Sequence, residues 1–165
     1  MKKTVNYGRI FNYICAVLML ALLITQFLPF WPCKDCEECA DGVASISDYI
    51  WFPSHHKSVT TFMKDIYGKD FAIGDIALFP VLILASSVLT IVFCTLKAHK
   101  SLMALIPFIG GVSGVVGYLT TPALQAGPNW IIALVLAVLV LLCSMVALSQ
   151  PIVNHVLKKK AEANE

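Results

Sequence analysis

The chain has 165 residues, of which 58% are hydrophobic and only 13% are charged. Soluble proteins carry about 25% charged residues, so this composition excludes an ordinary soluble domain and predicts an integral membrane protein. The formal net charge of +2 is too small to indicate a nucleic-acid partner.

Four long segments are apolar enough to cross a bilayer as helices. Residues 10–30 and 76–96 contain no charged residue, and neither do residues 101–121 and 130–148. Because a helix rises about 1.5 Å per residue, roughly 20 residues cross a hydrocarbon core of about 30 Å. We therefore predict an all-α, four-transmembrane-helix bundle that forms one membrane domain over residues 1–165.

The basic residues fall mainly on one side of this predicted bundle. Eight of the twelve Lys and Arg residues precede residue 10, follow residue 157 or lie between residues 96 and 101. Cytoplasmic flanks of membrane helices are enriched in these residues. This distribution predicts that both termini are cytoplasmic and that residues 31–75 form a large first loop on the outer side.

The predicted outer loop contains most of the chemically distinctive side chains. It carries eight of the ten acidic residues, three of the six cysteines and two of the four histidines. A short helix is expected within residues 41–52, because Ile46, Tyr49 and Ile50 share a helical face. The large apolar side chains of this segment must be buried against the membrane interface, the bundle or another subunit.

An amphipathic helix is predicted further along the same loop. Five apolar residues recur at the spacing of one helical face: Val59, Phe62, Met63, Ile66 and Tyr67. Ser58 is the expected N-cap of this helix and Gly68 its expected stop. The apolar face is expected to pack on the end of the bundle, with a substrate lid and a partner-docking face as alternatives.

The loop cysteines Cys33, Cys36 and Cys39 have the spacing C-x-x-C-x-x-C. A structural disulfide is the favoured interpretation because an outward loop meets an oxidising compartment, although an odd number of thiols leaves one over. Zinc binding together with His55 or His56 is the second interpretation. An iron–sulfur cluster is the third, but no fourth cysteine completes the run. The sequence therefore predicts no cofactor. If the cysteines and histidines of this loop bind a metal, zinc is the metal that they would accept.

Four polar or aromatic residues fall near the outer ends of the predicted spans: Gln26, Asp75, Tyr118 and Trp130. Polar groups at membrane depth are costly, so they indicate function by default. Asp75 lies at the boundary, where water reaches it, and a helix cap is preferred there over an ion site. We predict that these four residues form an outer-mouth polar cluster.

Glycines mark one face of the third predicted span. Gly110 and Gly114 form a small-x-x-x-small pattern, and Gly117 follows one turn later. This pattern lets helix backbones approach each other closely in lipid. Helix packing inside the bundle is the expected role, and a hinge or a ligand-facing groove is the alternative.

The sequence contains no Ser/His/Asp triad, phosphate-binding glycine loop or metalloprotease motif. The aromatic-rich loop and the glycine face favour a binding or assembly subunit over an enzyme. Its expected partners are the lipid bilayer and either other membrane subunits or its own copies. A membrane thiol–disulfide oxidoreductase that uses the loop cysteines is the first alternative. A transporter or channel subunit with Gln26 and Asp75 near its mouth, and a metal-binding membrane protein, are the others.

Overall fold

The computed structural model describes residues 7–32, 43–51, 53–68, 73–96, 101–125 and 127–162. The helices in these residues are α1 (Tyr7–Thr25), α2 (Ile46–Trp51), α3 (Pro53–Tyr67), α4 (Ile73–Thr95), α5 (Leu105–Thr120), α6 (Pro122–Gln125) and α7 (Trp130–Glu162). The strands are β1 (Pro29–Pro32) and β2 (Val43–Ser45), and a 3-10 turn covers Ser101–Ala104. The described chain is therefore predominantly helical.

Three of these helices are long and apolar enough to cross a membrane. The spanning stretches are Tyr7–Thr25 in α1, Ile76–Thr95 in α4 and Trp130–Leu157 in α7. α5 is also apolar but has only 16 residues. At about 1.5 Å per residue, that length falls short of a hydrocarbon core of about 30 Å. The three long helices fit a membrane location, as the composition predicted.

α1 packs between α4 and α7, and it runs antiparallel to both. Near the start of α1, the Gly8 N–H donates to Gln150 Oε1 of α7 at 2.6 Å. The Asn12 carbonyl accepts a hydrogen bond from Cys94 Sγ, near the end of α4, at 3.6 Å. The beginning of α1 and the late parts of α4 and α7 therefore lie at the same end of the bundle.

α5 closes the bundle by packing against α4 and α7. A Cβ at Gly114 would lie 2.6 Å from Ala137 Cβ of α7, and one at Gly117 would lie 2.6 Å from Phe79 Cβ of α4. Gly110 is buried as well, and a Cβ there would overlap side chains of α1 and α4. These glycines let α5 approach its neighbours at distances that any side chain would prevent.

The outward faces of the bundle are apolar. Val17 on α1 is 67% exposed and Leu142 on α7 is 54% exposed. In water such a surface would promote association, whereas lipid tails solvate it. Hydroxyl groups in the helices donate to carbonyls of their own helix, as Ser87 Oγ does to Ile83 O at 2.7 Å. Pairing of this kind lets polar residues reside in a membrane helix without an external partner.

α1 ends at Thr25 and not at residue 30, where the charge-free segment ends. Pro29 has no backbone N–H to donate, and it disfavours helical geometry in the residue before it. The chain leaves the helix through tight bonds such as Gln26 N–H to Leu23 O at 3.0 Å. It then enters β1.

The other helix ends also differ from the predicted spans. α7 continues through Pro151 to Glu162, well past residue 148. Its final turns contain Lys and Ala, which are strong helix formers. Pro107 lies in the first turn of α5, where a helix tolerates a missing N–H, so it does not interrupt the helix.

The strands, α2 and α3 form a cap over the end of the bundle where α1 finishes and α4 begins. β1 and β2 pair antiparallel, with an irregularity between Pro29 and Trp31. The sequence predicted an all-α fold and did not predict these two strands. α2 starts with a capping box: Ser45 N–H donates to Asp48 Oδ2 at 2.9 Å, and Asp48 N–H donates to Ser45 Oγ at 3.1 Å.

α3 begins at Pro53, earlier than the expected start at Ser58. Val59 and Met63 of its apolar face are fully buried, whereas Ile66 in the last turn is 52% exposed. Gly68 follows the helix with a φ of 63°, and its N–H donates to the carbonyl of the last turn at 2.8 Å. This is the left-handed C-cap for which glycine is favoured.

Candidate functional site

Some predicted site residues are beyond what the structure describes. Cys33, Cys36 and Cys39 lie outside the described residues, so the disulfide, zinc and iron–sulfur interpretations stay predictions. His55 and His56 are in the first turn of α3, but their side chains are also outside the described set. Within the described part of the chain, no group of three or more His, Cys, Asp or Glu residues is placed to hold a metal ion.

Gln26 and Tyr118, two members of the predicted outer-mouth cluster, are in direct contact. Gln26 follows the last residue of α1, and its Nε2 donates to the Tyr118 hydroxyl of α5 at 2.9 Å. Both side chains are fully buried. The Gln26 backbone carbonyl accepts a hydrogen bond from Ser47 N–H, in the first turn of α2, at 2.9 Å. Gln26 therefore links α1, α5 and the cap.

The side chain of Gln26 also retains unused hydrogen-bonding capacity. Its Oε1 is buried and has no hydrogen-bond partner among the described residues, and the same is true of Asn12 Oδ1. An unpaired buried acceptor costs about 1–3 kcal/mol. Asn12 lies near the start of α1 and Gln26 directly follows its end, so the two amides are at opposite ends of the bundle.

The other two members of the predicted cluster are placed differently. Asp75 is in the first turn of α4, but its side chain lies outside those that the structure describes. Trp130 is the first residue of α7 and packs, partly buried, against the core. The structure thus brings Gln26 and Tyr118 together, while Trp130 contributes packing.

An aromatic cluster joins the cap to the bundle. The Trp31 ring packs edge-on against Phe30 and Tyr49, with ring centroids 5.0 Å and 5.6 Å apart. All three side chains are buried. The Trp31 indole N–H donates to the Ala123 carbonyl of α6 at 2.8 Å. A buried Trp with a satisfied N–H fixes both the position and the orientation of the strand that carries it.

Two more side chains connect the cap to the bundle through α6: Tyr67 joins α3 to α6, and Gln125 joins α6 to the end of α5. The Tyr67 hydroxyl at the end of α3 donates to the Pro122 carbonyl at 3.1 Å. Gln125 Nε2 donates to the carbonyls of Tyr118 and Leu119 at 3.1 Å and 2.9 Å. The last carbonyls of a helix lack intrahelical partners, so Gln125 completes the end of α5. The cap is therefore attached at several separate points.

Trp51 is a large aromatic residue of the cap that faces outward. It ends α2 and is 62% exposed, whereas Trp31 and Tyr49 are 0% exposed. Tyr49 and Trp51 are two residues apart on a helix, so their side chains point in different directions. The aromatic segment predicted to be buried is thus divided between a buried Tyr and an exposed Trp.

Most of the contacts that hold the cap have no local signal in the sequence. Ser45 and Asp48 carry a local signal, because Ser-x-x-Asp before an apolar run is typical of a capping box. The hydrogen bond from Trp31 to Ala123 joins residues far apart in the sequence. No local pattern predicts such a pair.

Comparison of the chain with protein-family models, curated proteins and solved structures found no match. Among the described residues, the buried polar side chains are the hydroxyls of Ser and Thr and the amides of Asn and Gln.

Proposed function

We propose that the chain is a small multi-pass membrane protein that acts as a binding or assembly subunit. Its cap is the surface that docks onto another membrane subunit or onto a second copy of the chain. The observation that carries this proposal is Trp51, which is 62% exposed on a cap whose other contacts fix it to the bundle. Binding hot spots are enriched in Trp.

The proposed membrane arrangement has four spans. α5 is the fourth, and the 3-10 turn at Ser101–Ala104 extends its apolar length to that of a span. An even number of spans places both termini on one side. Arg9 at the start of α1 and Lys159 and Lys160 at the end of α7 support a cytoplasmic location for that side. The cap then faces outward.

The attachment of the cap favours a docking role. Ordering a mobile loop on binding costs about 0.5–1.5 kcal/mol for each immobilised side chain. Here the hydrogen bonds from Trp31 to Ala123 and from Ser47 to Gln26 hold the cap before any partner binds. A partner that packs on Trp51 would therefore bind a surface that is already ordered.

A photo-crosslinking residue in place of Trp51, incorporated in intact membranes, tests this proposal. We expect a discrete adduct of higher mass, whose mass and peptides identify either a partner subunit or a second copy. The same residue in place of Lys160, at the opposite end of the bundle, is the control and should not give that adduct. Crosslinks to lipid alone would show that Trp51 is an interfacial anchor, and the docking proposal would then be wrong.

A second variant separates docking from folding. Trp51→Ala should reduce the apparent size of the complex in mild detergent and leave the melting temperature nearly unchanged, because exposed substitutions change stability by about 0.5 kcal/mol or less. A wild-type chain that runs as a lone monomer under the same conditions would contradict the proposal.

A further inference from the structure

α7 is longer than the bundle that packs against it. The Gly8 N–H of α1 donates to Gln150 Oε1 at 2.6 Å, so the first turn of α1 lies level with Gln150. From there α7 continues to Glu162, which is about 18 Å further along the helix. Every side chain from Pro151 to Leu157 is exposed. The end of α7 therefore projects past the start of α1.

The two faces of α7 differ in this projecting part. The face that packs on the bundle includes the buried Ala147, and two turns further on the same face carries the polar residues Asn154 and His155. The outward face stays apolar, with Ile152 68% exposed and Val156 47% exposed. A helix that is polar on one side and apolar on the other needs a partner for its apolar side.

The outward apolar stripe of α7 has the spacing of a coiled coil. Alongside the bundle, exposed residues of this stripe alternate at intervals of four and three positions: Ile131, Val135, Val138, Leu142 and Met145. The same spacing continues through Ser149 to Ile152 and Val156. Apolar residues that repeat every 3.5 residues keep one seam of a helix turned towards a partner helix along its length. The stripe therefore fits another helix that runs beside α7.

The projecting part of the stripe lies outside the hydrocarbon core. α1 has 19 residues and is about 28 Å long, which matches a core of about 30 Å, so Gln150 beside its start lies near the membrane surface. Lipid tails do not extend beyond that level. Chain segments outside the described residues adjoin this end at 1–6, 97–100 and 163–165, and their large apolar side chains are only Met1 and Val5. A second molecule is therefore needed to cover Ile152 and Val156.

We propose that two copies of the chain associate through the outward face of α7, with the two helices parallel. All copies of a membrane protein share one orientation, so a two-fold axis along the membrane normal places the same surface of each copy against the other. Ile152 and Val156 of one copy then pack against the same residues of the second copy. The interface is distinct from the docking surface on the cap, which lies at the other end of the bundle.

The area of this face is sufficient for a dimer. From Ile131 to Leu157 it is about 40 Å long, and a helix with its side chains is about 10–12 Å wide, which gives about 400–480 Å² for each copy. Two such faces reach the lower limit of about 1,000 Å² for a specific interface once the relief of the side chains is included. Lys159 and Lys160 follow in the last turn, where like charges of two copies repel, so the contact ends near Leu157.

Disulfide crosslinking in membranes tests the parallel pairing. Ile152→Cys in the otherwise native chain should give, on addition of an oxidant, a dimer joined through two copies of the same α7 peptide. Asn154→Cys, on the other face of the same turn, is the matched control and should give little of this product. A crosslink that is no stronger at residue 152 than at residue 154 would show that lipid headgroups or another molecule cover the stripe, and the proposal would then be wrong.

A charge on the stripe tests whether its apolar contact holds the dimer. Val156→Glu, combined with Ile152→Cys, should slow the crosslinking about tenfold or more, because two like charges then meet at the two-fold axis. Asn154→Glu with Ile152→Cys should crosslink at the original rate. Both Glu positions are exposed, so the melting temperature should stay nearly unchanged and confirm folding. Equal rates in the two Glu variants would overturn the proposal.

The cap provides an independent check. Trp51→Ala should leave the crosslink at residue 152 unchanged, because Trp51 lies at the other end of the bundle. Failure of the docking role of the cap would therefore not remove the α7 dimer. A crosslink at residue 152 that disappears in Trp51→Ala would show that the cap holds the two copies together, and α7 would then not be the interface.

Discussion

Gln26 and Tyr118 form a buried hydrogen bond between the residue that follows α1 and the last turns of α5, with 2.9 Å between Nε2 and the phenol oxygen. The same Gln26 accepts a backbone hydrogen bond from Ser47 of the cap at 2.9 Å. One residue therefore couples the position of α1 to α5 and to the cap. Loss of its side chain should remove the bond to α5, whereas the bond to the cap is made by the Gln26 backbone carbonyl and does not depend on the side chain.

Substitutions at this pair should be strongly non-additive. Tyr118→Phe should lower the free energy of unfolding by about 1–3 kcal/mol, because it leaves the buried Gln26 amide unpaired. Gln26→Leu should cost less than Tyr118→Phe, because it also removes the Oε1 atom that has no partner among the described residues. The double variant removes both polar groups and should cost less than the sum of the single variants. Thermal unfolding in detergent measures the coupling, with Thr120→Val on the exposed face of α5 as control. Additive effects would show that the two side chains are not energetically coupled.

Gly114→Leu should destabilise the bundle. A Cβ at this position would already lie 2.6 Å from Ala137 Cβ, so the larger side chain has to separate α5 from α7. Overpacking of this kind typically costs about 1–3 kcal/mol. The measurement is the melting temperature in detergent, and Val116→Leu, at an exposed position of the same helix, is the control. An unchanged melting temperature for Gly114→Leu would show that the two helices do not pack through this face.

Ser45→Ala should loosen the start of α2. Its hydroxyl accepts a hydrogen bond from Asp48 N–H at 3.1 Å, and removing such an N-cap costs about 0.5–2 kcal/mol. Hydrogen exchange of the α2 amides should speed up while that of α7 is unaffected. Thr61→Ala on the exposed face of α3 serves as the control. Exchange that is equally slow in the wild-type chain and in Ser45→Ala would show that contacts other than this N-cap hold α2 in place.

The loop cysteines should behave as one disulfide and one thiol. With the three cysteines of α1, α4 and α7 replaced by Ala, unfolding without reductant should allow one of Cys33, Cys36 and Cys39 to be alkylated. An outward loop meets an oxidising compartment, which favours this outcome. Intact mass reports the number of alkyl groups and any bound metal.

Zinc binding predicts a different pattern for the same three thiols. They would all be reduced, protected in the folded protein and exposed by a chelator, because metal binding and local folding are coupled. His55→Ala or His56→Ala would then lower the zinc content. One equivalent of zinc with three protected thiols would replace the disulfide prediction by a metal-binding function.

The proposed orientation can be tested by labelling from outside. In a chain whose native cysteines are replaced, Asp65→Cys on exposed α3 should react with an impermeant thiol reagent added to intact cells. Lys160→Cys at the end of α7 should react only after the membrane is permeabilised. Labelling of Lys160→Cys in intact cells would show that the end of α7 faces outward, and the proposed orientation would then be wrong.

The sequence by itself determined the class of the protein and its long helices. Composition predicts a membrane protein, and apolar segments of about 20 residues can satisfy their backbone groups in lipid only as helices or in closed barrels. α1, α4 and α7 follow from this local requirement. The close spacing of Gly110 and Gly114 is also a local property, although it does not identify the helix that each glycine contacts.

Only the tertiary structure decided how the cap packs on the bundle. Trp31 and Trp51 have the same chemistry, yet Trp31 is buried against the carbonyl of Ala123 and Trp51 is 62% exposed. Their roles depend on partners from distant parts of the chain, which residue type and local spacing do not specify. The same holds for Gln26, whose hydrogen bonds to Ser47 and Tyr118 exist only once α1, α5 and the cap have packed together.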